Sequence, residues 1–377
     1  MHPQKILISA ILIAAVVGSI VYLNSQKAHR AASGEKVELA ITMNKEEKAK
    51  RYPAAKEITT PDGFINTPST SSGQATPITV GEFIGKKVVL IDFWTYSCIN
   101  CQRTIPYLNE WHKKYADKGL TIIGVHTPEF AFEKDYENVQ KAVHQFGIRY
   151  PVVLDNDYST WHAYKNRYWP RKYLIDIDGF VVYDHIGEGG YEETERKIQE
   201  LLHERMETLG IRDSLDQGIA QPSNVEEVDL SQERSPEVYF GATRNTHLGN
   251  GNKNTVGLQT LIEPDAITTN LLYLTGDWEF AQEQAENRSL RAKIIFRYRA
   301  EKVFFVAGSA HGTRIMILRD GKMLGEEAAE DIEQDSMVYV QENRLYRIID
   351  DPAGYGEHTL EMIIDRPGLQ AFTFTFG

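Results

Sequence analysis

The chain of 377 residues contains two cysteines, Cys98 and Cys101, separated by Ile99 and Asn100. A single pair leaves no disulfide framework to account for them. They follow the hydrophobic run Val88 to Ile91 and precede an amphipathic helical pattern, so they fall on a strand-to-helix turn. Two thiols at this spacing can interconvert between dithiol and disulfide. At a helix N-terminus the free amides and the helix dipole favour a thiolate, which makes Cys98 the expected nucleophile. Cys101, one turn later and partly shielded, is expected to resolve the mixed disulfide. Asp92 stands inside an otherwise apolar strand, six residues before Cys98. Desolvation there raises a carboxyl pKa and suits proton exchange with the buried thiol; the competing reading is an aspartate satisfied by backbone amides at a strand end. Pro170 follows Trp169 and precedes the run Tyr173 to Ile177. Proline permits a cis bond at that point, and a strand-entry proline is equally compatible with the sequence.

The surrounding periodicity supplies elements to hold these residues. Lys87 to Trp94 reads as a buried strand, and Arg103 to Tyr115 sets Ile105, Leu108, Trp111 and Tyr115 on one helical face. Leu120 to Val125 reads as a second strand and Lys134 to Phe146 as a second helix. Pro151 to Leu154, Tyr173 to Ile177 and Phe180 to Tyr183 read as short strands, the last two joined at Asp178-Gly179. A final helix from Tyr191 to Leu209 turns Ile198, Leu201, Leu202, Met206 and Leu209 inward. The order predicts an α/β layered domain over residues 53–209. After an acidic, aperiodic linker (210–235), short runs from Ile294 to Phe376 alternate without a comparable helix, predicting an all-β sandwich, jelly-roll-like, over 236–377.

The N-terminus is different again. Ile6 to Leu23 carries no charged residue, and eighteen residues at helical rise span roughly 27 Å, close to a bilayer core. Residues 1–23 are therefore expected to form a single transmembrane helix that is not cleaved, with the polar segment 24–52 as a stalk and the soluble domains exported. A formal net charge of −12 argues against sequence-independent nucleic-acid binding. Two cysteines supply half of a tetrahedral zinc set, so no metal is expected, nor any cofactor beyond the redox-active pair itself.

Asp92-Phe93-Trp94 leading to Cys98-Ile99-Asn100-Cys101, with Trp169-Pro170 before Leu174-Ile175-Asp176, resembles the thioredoxin fold. Gly85-Lys86-Lys87-Val88-Val89-Leu90 is similar to its TlpA-like branch. Trp94 to Cys101, His126-Thr127-Pro128-Glu129-Phe130, Gly187-Glu188-Gly189-Gly190-Tyr191 and the closing Phe372 to Gly377 resemble the soluble part of DipZ-type thiol-disulfide proteins. That resemblance implies a Cys98 nucleophile, a cis proline at Pro170, protein thiols or disulfides as substrates, and a carbohydrate-binding-module-like second domain. It points to a bacterial cytoplasmic membrane protein facing the periplasm. One span replaces the multi-span relay of that family, so a separate CcdA- or DsbD-like electron donor is expected. Trp94, Ile99, Asn100, His126, Glu129 and Trp169 are candidates for lining the cleft. Ile99-Asn100 replaces the Gly-Pro of thioredoxins, so the potential does not carry over.

Two other readings compete. Thr95 stands three residues before Cys98, as in peroxiredoxins, but Ile91 occupies the position where those have proline. Asn245, Asn250, Asn252 and Asn254, with Tyr239 and Trp278, are candidates for a glycan or cell-wall binding rim, which would make the dithiol incidental.

Overall fold

The computed structural model describes residues 43–68, 75–223, 225–229 and 231–377. The expected anchor and most of the stalk lie outside the described residues. Among the described residues no helix is long and apolar enough to cross a membrane. Helix α1 (Lys45–Arg51) begins at a capping box, in which Asn44 and Glu47 exchange backbone-to-side-chain hydrogen bonds of 3.0 Å each. Tyr52 to Gly377 form one compact unit.

The first half of that unit is a six-stranded sheet. At its centre β2 (Val88–Trp94) pairs in parallel with β3 (Leu120–His126), which pairs in parallel with β4 (Val152–Leu154). On the other side of β2, β5 (Arg171–Ile175) and β6 (Val181–Ile186) run antiparallel, and β1 (Gly63–Ile65) closes the far edge beside β4. Every residue of β2 and β3 is buried, which is why both read as unbroken apolar runs rather than alternating ones. Helices α2 (Ile99–Tyr115), α3 (Tyr136–Gln145) and α5 (Tyr191–Leu209) share one core with Val88, Leu90 and Trp94 of β2. The short α4 (Ser159–Ala163) contributes Trp161 to the opposite core, with Val89, Ile91 and Phe93. Strand alternation therefore turns Asp92 towards α2. Leu209, expected inside, is exposed at the end of α5.

The second half is all β, and its named strands pair antiparallel, with isolated parallel bridges joining Leu248 to Leu272 and Thr269 to Arg297. One set of strands runs β14 (Lys322–Met323), β13 (Thr313–Arg319), β17 (Gly356–Ile364), β11 (Lys293–Ala300), β9 (Leu272–Phe280). It continues through β10 (Ala285–Asn287), β18 (Gln370–Phe376), β12 (Lys302–Gly308) and β16 (Arg344–Asp350). Three short strands attach off this path: β7 (Val238–Tyr239) to β18, β8 (Gly257–Leu261) to β9, and β15 (Met337–Val340) to β13. Strand β9 serves both sheets: Leu272 to Thr275 pair with β11, whereas Gly276 to Phe280 pair with β8. Gly276 has φ +87°, a conformation that glycine adopts without steric cost, at the changeover. Phe296, Phe305, Phe374 and Trp278 lie in the shared core.

Of the asparagines expected to form a glycan rim, Asn250 and Asn245 fasten turns through their side chains. Asn250 donates to the carbonyls of Ile262 (2.9 Å) and Leu274 (2.7 Å), and the carbonyl of Asn245 accepts from Asn254 N (2.7 Å). Trp278 is fully buried with its indole N–H on Thr275 O (3.0 Å), so it offers no face for a sugar to stack on.

Residues 210–235 contain neither helix nor strand among those described, yet they strap across the first sheet domain. Lys114 donates to Gly218 O, Ala220 N donates to Glu195 (2.7 Å), and Glu226 pairs with both Arg103 of α2 (3.1 Å) and Arg347 of β16 (3.0 Å). The β-sandwich is accordingly not a tethered passenger. Ile99 packs with Phe130, Phe304, Val306, Leu345 and Phe372 in a core built from both halves. Burying a side chain of this size contributes about 1.5–3 kcal/mol.

Candidate active site

Cys98 is the N-cap of α2, in extended conformation, and its Sγ accepts from Cys101 N at 3.3 Å. Both thiols are free; Cys98 is half-buried and Cys101 is fully buried. Burial pushes the Cys101 thiol well up, and the adjacent Cys98 and Asp92 add to the effect. Burial also pushes Cys98 up, with Glu237 and Glu129 contributing, while hydrogen bonds from Cys101 pull it down. The sequence predicts a thiolate stabilised by the helix end. Instead the sandwich covers the turn and raises the cost of charge there.

Beneath the dithiol lies a buried pair that only the structure brings together. Asp92 sits opposite Lys172 in the β2–β5 register, and both side chains are buried. Burial lifts the Asp92 carboxyl to about 7, with Lys172 drawing it partly back. Burial pushes Lys172 down, opposed by Asp92 and Cys101. The Lys172 ammonium donates to Gly187 O (3.1 Å), and Gly187 N donates to Pro170 O (2.8 Å). Oδ1 of Asp92 makes no hydrogen bond among the described residues. The carboxyl is therefore not the amide-satisfied aspartate of the competing reading.

The Trp169–Pro170 peptide is cis. Arg171 pairs with Phe93, which brings Pro170 beside the end of β2 from which the dithiol turn departs. Trp169 is held by its indole N–H on Thr127 O (3.0 Å) and by Trp161, at a ring-centroid distance of 4.2 Å.

The expected cleft residues divide. Trp169, Asn100 and Glu129 keep partial exposure. Trp94, His126 and Ile99 do not line an open cleft: they are 1%, 0% and 1% exposed. Ile99 is capped by the sandwich, and Trp94 packs edge-on against His126. His126 stacks on Tyr96 and meets Thr95 Oγ1 at 3.4 Å, and burial lowers its pKa to about 3, so it is a neutral packing residue. Gly124, opposite Asp92, makes room for the Trp94 indole: a β-carbon there would stand 3.0 Å from Nε1.

Several residues escape sequence reasoning. Buried Glu133 accepts from Ser97 Oγ (2.6 Å), Glu129 N (2.6 Å) and Phe130 N (3.0 Å), tying the residue before Cys98 to the loop after β3. Lys172 carries a signal of its own, a lysine at an inward-facing strand position two residues from Leu174. Tyr239, Glu237 and Arg244 carry none, because they lie more than a hundred residues away. The Tyr239 hydroxyl lies 2.9 Å from Glu129 Oε1 and 2.8 Å from Glu237 Oε2. Arg244 pairs with Glu129 at 2.7 Å and stacks 3.7 Å from the centre of the Tyr239 ring. Tyr239 is thus part of the domain contact rather than a sugar platform.

Known proteins resemble this chain in both halves. The family described as Redoxin matches residues 47–202, and that described as Thioredoxin like C-terminal domain matches 235–377. Protein DipZ of Mycobacterium tuberculosis is 38% identical over 334 residues, covering 86% of this chain and 42% of its own length. The chain thus spans about two fifths of that relative. Thiol-disulfide oxidoreductase YkuV of Bacillus subtilis is 30% identical over 127 residues, 34% of this chain and 85% of YkuV. The solution structure of a thioredoxin-like protein in the oxidized form is 27% identical, covers 41% of this chain and 97% of that one, and superposes with a TM-score of 0.35. With a free Cys-x-x-Cys at the head of α2, a buried carboxylate beneath it and a cis proline beside it, this chain belongs to the thioredoxin-fold thiol-disulfide oxidoreductases of the TlpA and DipZ type.

Proposed function

We propose that the Cys98–Cys101 pair reduces disulfides of protein substrates outside the cytoplasm. The observation that carries this reading is the asymmetry of the two thiols: Cys98 reaches solvent, whereas Cys101 is sealed against a carboxyl whose pKa lies near neutrality. The Cys98 thiolate attacks one substrate sulfur, forming the Cys98–substrate disulfide, and the other substrate sulfur leaves and is protonated. Asp92 takes the proton of Cys101. The Cys101 thiolate then attacks Cys98 Sγ, closing the internal disulfide and releasing the second substrate thiolate. Two electrons pass to the substrate in one cycle. Pro170 forms the wall opposite the dithiol, against which the substrate chain lies.

The apolar run Ile6 to Leu23 supports anchoring of this activity at a bacterial cytoplasmic membrane. A separate membrane dithiol carrier of the CcdA or DsbD kind would then return the electrons. A thiol peroxidase is disfavoured because the Thr95 hydroxyl is buried against His126.

The test is reduction of insulin by the pre-reduced protein. Wild type is expected to be active, and Cys98→Ser to lose all turnover. Cys101→Ser is expected to hold clients as mixed disulfides. Equal activity of wild type and Cys98→Ser would sink the reading.

A further inference from the structure

The contact between the two halves places a second-domain carboxylate at the mouth of the dithiol. Ile99, the neighbour of Cys98, packs with Phe130 and Phe372, and Tyr239 packs against the same cluster. From that position the Tyr239 hydroxyl faces two carboxylate oxygens, Glu129 Oε1 and Glu237 Oε2. A phenol has one proton to donate, so it satisfies one of them. The other charges nearby are already engaged. Arg244 pairs with Glu129 at 2.7 Å, while Glu188 faces Arg103 at 3.5 Å and Arg234 at 4.0 Å. Among the described residues Glu237 alone of these carboxylates has no cation within ion-pair distance, Arg244 and Arg234 acting on it only from further off, and it is exposed.

We propose that Glu237 is a specificity-determining residue that recognises a lysine or arginine side chain next to the substrate cystine. The preferred substrate is then an extended, cationic, cystine-containing peptide segment. The proposal rests on the disulfide-reductase reading above and deepens it. The sandwich closes the Ile99 side of the turn, and Glu237 lies near enough to Cys98 to act on its thiol, so on this proposal the substrate passes Glu237 on its way in. A cationic side chain there supplies the counter-charge that Tyr239 cannot give to both carboxylates. It also offsets the negative charge facing Cys98 as the thiolate forms, so binding and activation of the nucleophile act together.

The experiment uses the pre-reduced full-length protein and three cystine peptides that differ only in a Lys, Ala or Glu beside the cysteine. Single-turnover reduction rates are measured at low and high salt. The wild-type protein is expected to reduce the Lys peptide about tenfold faster than the Glu peptide at low salt, as one close charge pair near a surface allows, with the gap narrowing at high salt. In Glu237→Gln the Lys-to-Glu ratio should fall to within about twofold, and in Glu237→Lys the order should invert. A residue that merely supports the fold would lower all three rates together and leave the ratio intact. An unchanged ratio in both variants, or no preference in the wild type, overturns the proposal while leaving the reductase reading standing. Failure of the wild type on all three peptides removes both.

Discussion

The two sulfur atoms of the dithiol face opposite kinds of surroundings. Cys101 looks into a core where Asp92 and Lys172 are paired by strand register, within one domain and sealed from water. Cys98 feels Glu129 and Glu237, one from each domain, and Tyr239 and Arg244 hold these carboxylates. Both surroundings push their thiol up, burial being the largest cause in each. On the inside, burial dominates, and a single cation moderates the carboxyl that exchanges the proton. On the outside, burial combines with two carboxylates, of which Glu129 is already paired with Arg244 and Glu237 is not. On the reading proposed above, the inner side would transfer a proton whatever the client, and the outer side would respond to the client.

The sharpest way to break that division is Asp92→Asn. The general-base role proposed for Asp92 predicts that resolution by Cys101 slows about 100-fold, with the mixed disulfide accumulating in rapid-quench experiments. The sign of the pH effect follows from which form accepts a proton. Below about 7 Asp92 is protonated and idle, so wild-type resolution should rise as pH passes through that value, and the rise should vanish in the variant. Retention of the inflection would assign it to another group.

Next in size is Phe372→Ala, which opens the wall without touching the inner pair. Truncating a buried phenylalanine costs about 3 kcal/mol or more, read as a lower denaturation midpoint. Alkylation of Cys98 by iodoacetamide should accelerate at fixed pH, while the Asp92 inflection stays in place. Should the alkylation rate not change, the sandwich is not what holds Cys98 up.

The smallest effect is expected from Lys172→Met. Removing the cation that draws Asp92 down should move the resolution inflection to higher pH, with Cys98 alkylation nearly unaffected. A shift to lower pH would contradict the pairing.

Much of the inner side was legible in the sequence and little of the outer. The strands and helices around Cys98 announce themselves because β2 and β3 are covered on both faces and α2 carries one apolar stripe. Asp92 stands out in that setting as the charge among apolar residues. Lys172 could have been found the same way, but its partner depends on an antiparallel register that spacing alone does not fix. Strand β9 hid because Gly276 and Asp277 interrupt its pattern where it passes between sheets. Glu237 and Tyr239 were invisible as site residues, since only the fold brings them across more than a hundred positions to Glu129.

The strap at Glu226 has a practical consequence for anyone dividing this protein into parts. Composition draws the seam at 210–235, and that segment is itself bound to both halves. Arg103, with its side chain 2% exposed, depends on Glu226 from the strap, and Arg347 of the sandwich shares that carboxylate. A fragment cut after Leu209 would keep the dithiol, leave Arg103 with Glu188 in place of two carboxylate partners, and uncover the apolar face of Ile99 and Phe130. Tyr52 to Gly377 form one compact unit, so either half taken alone is expected to expose a face that the other now covers.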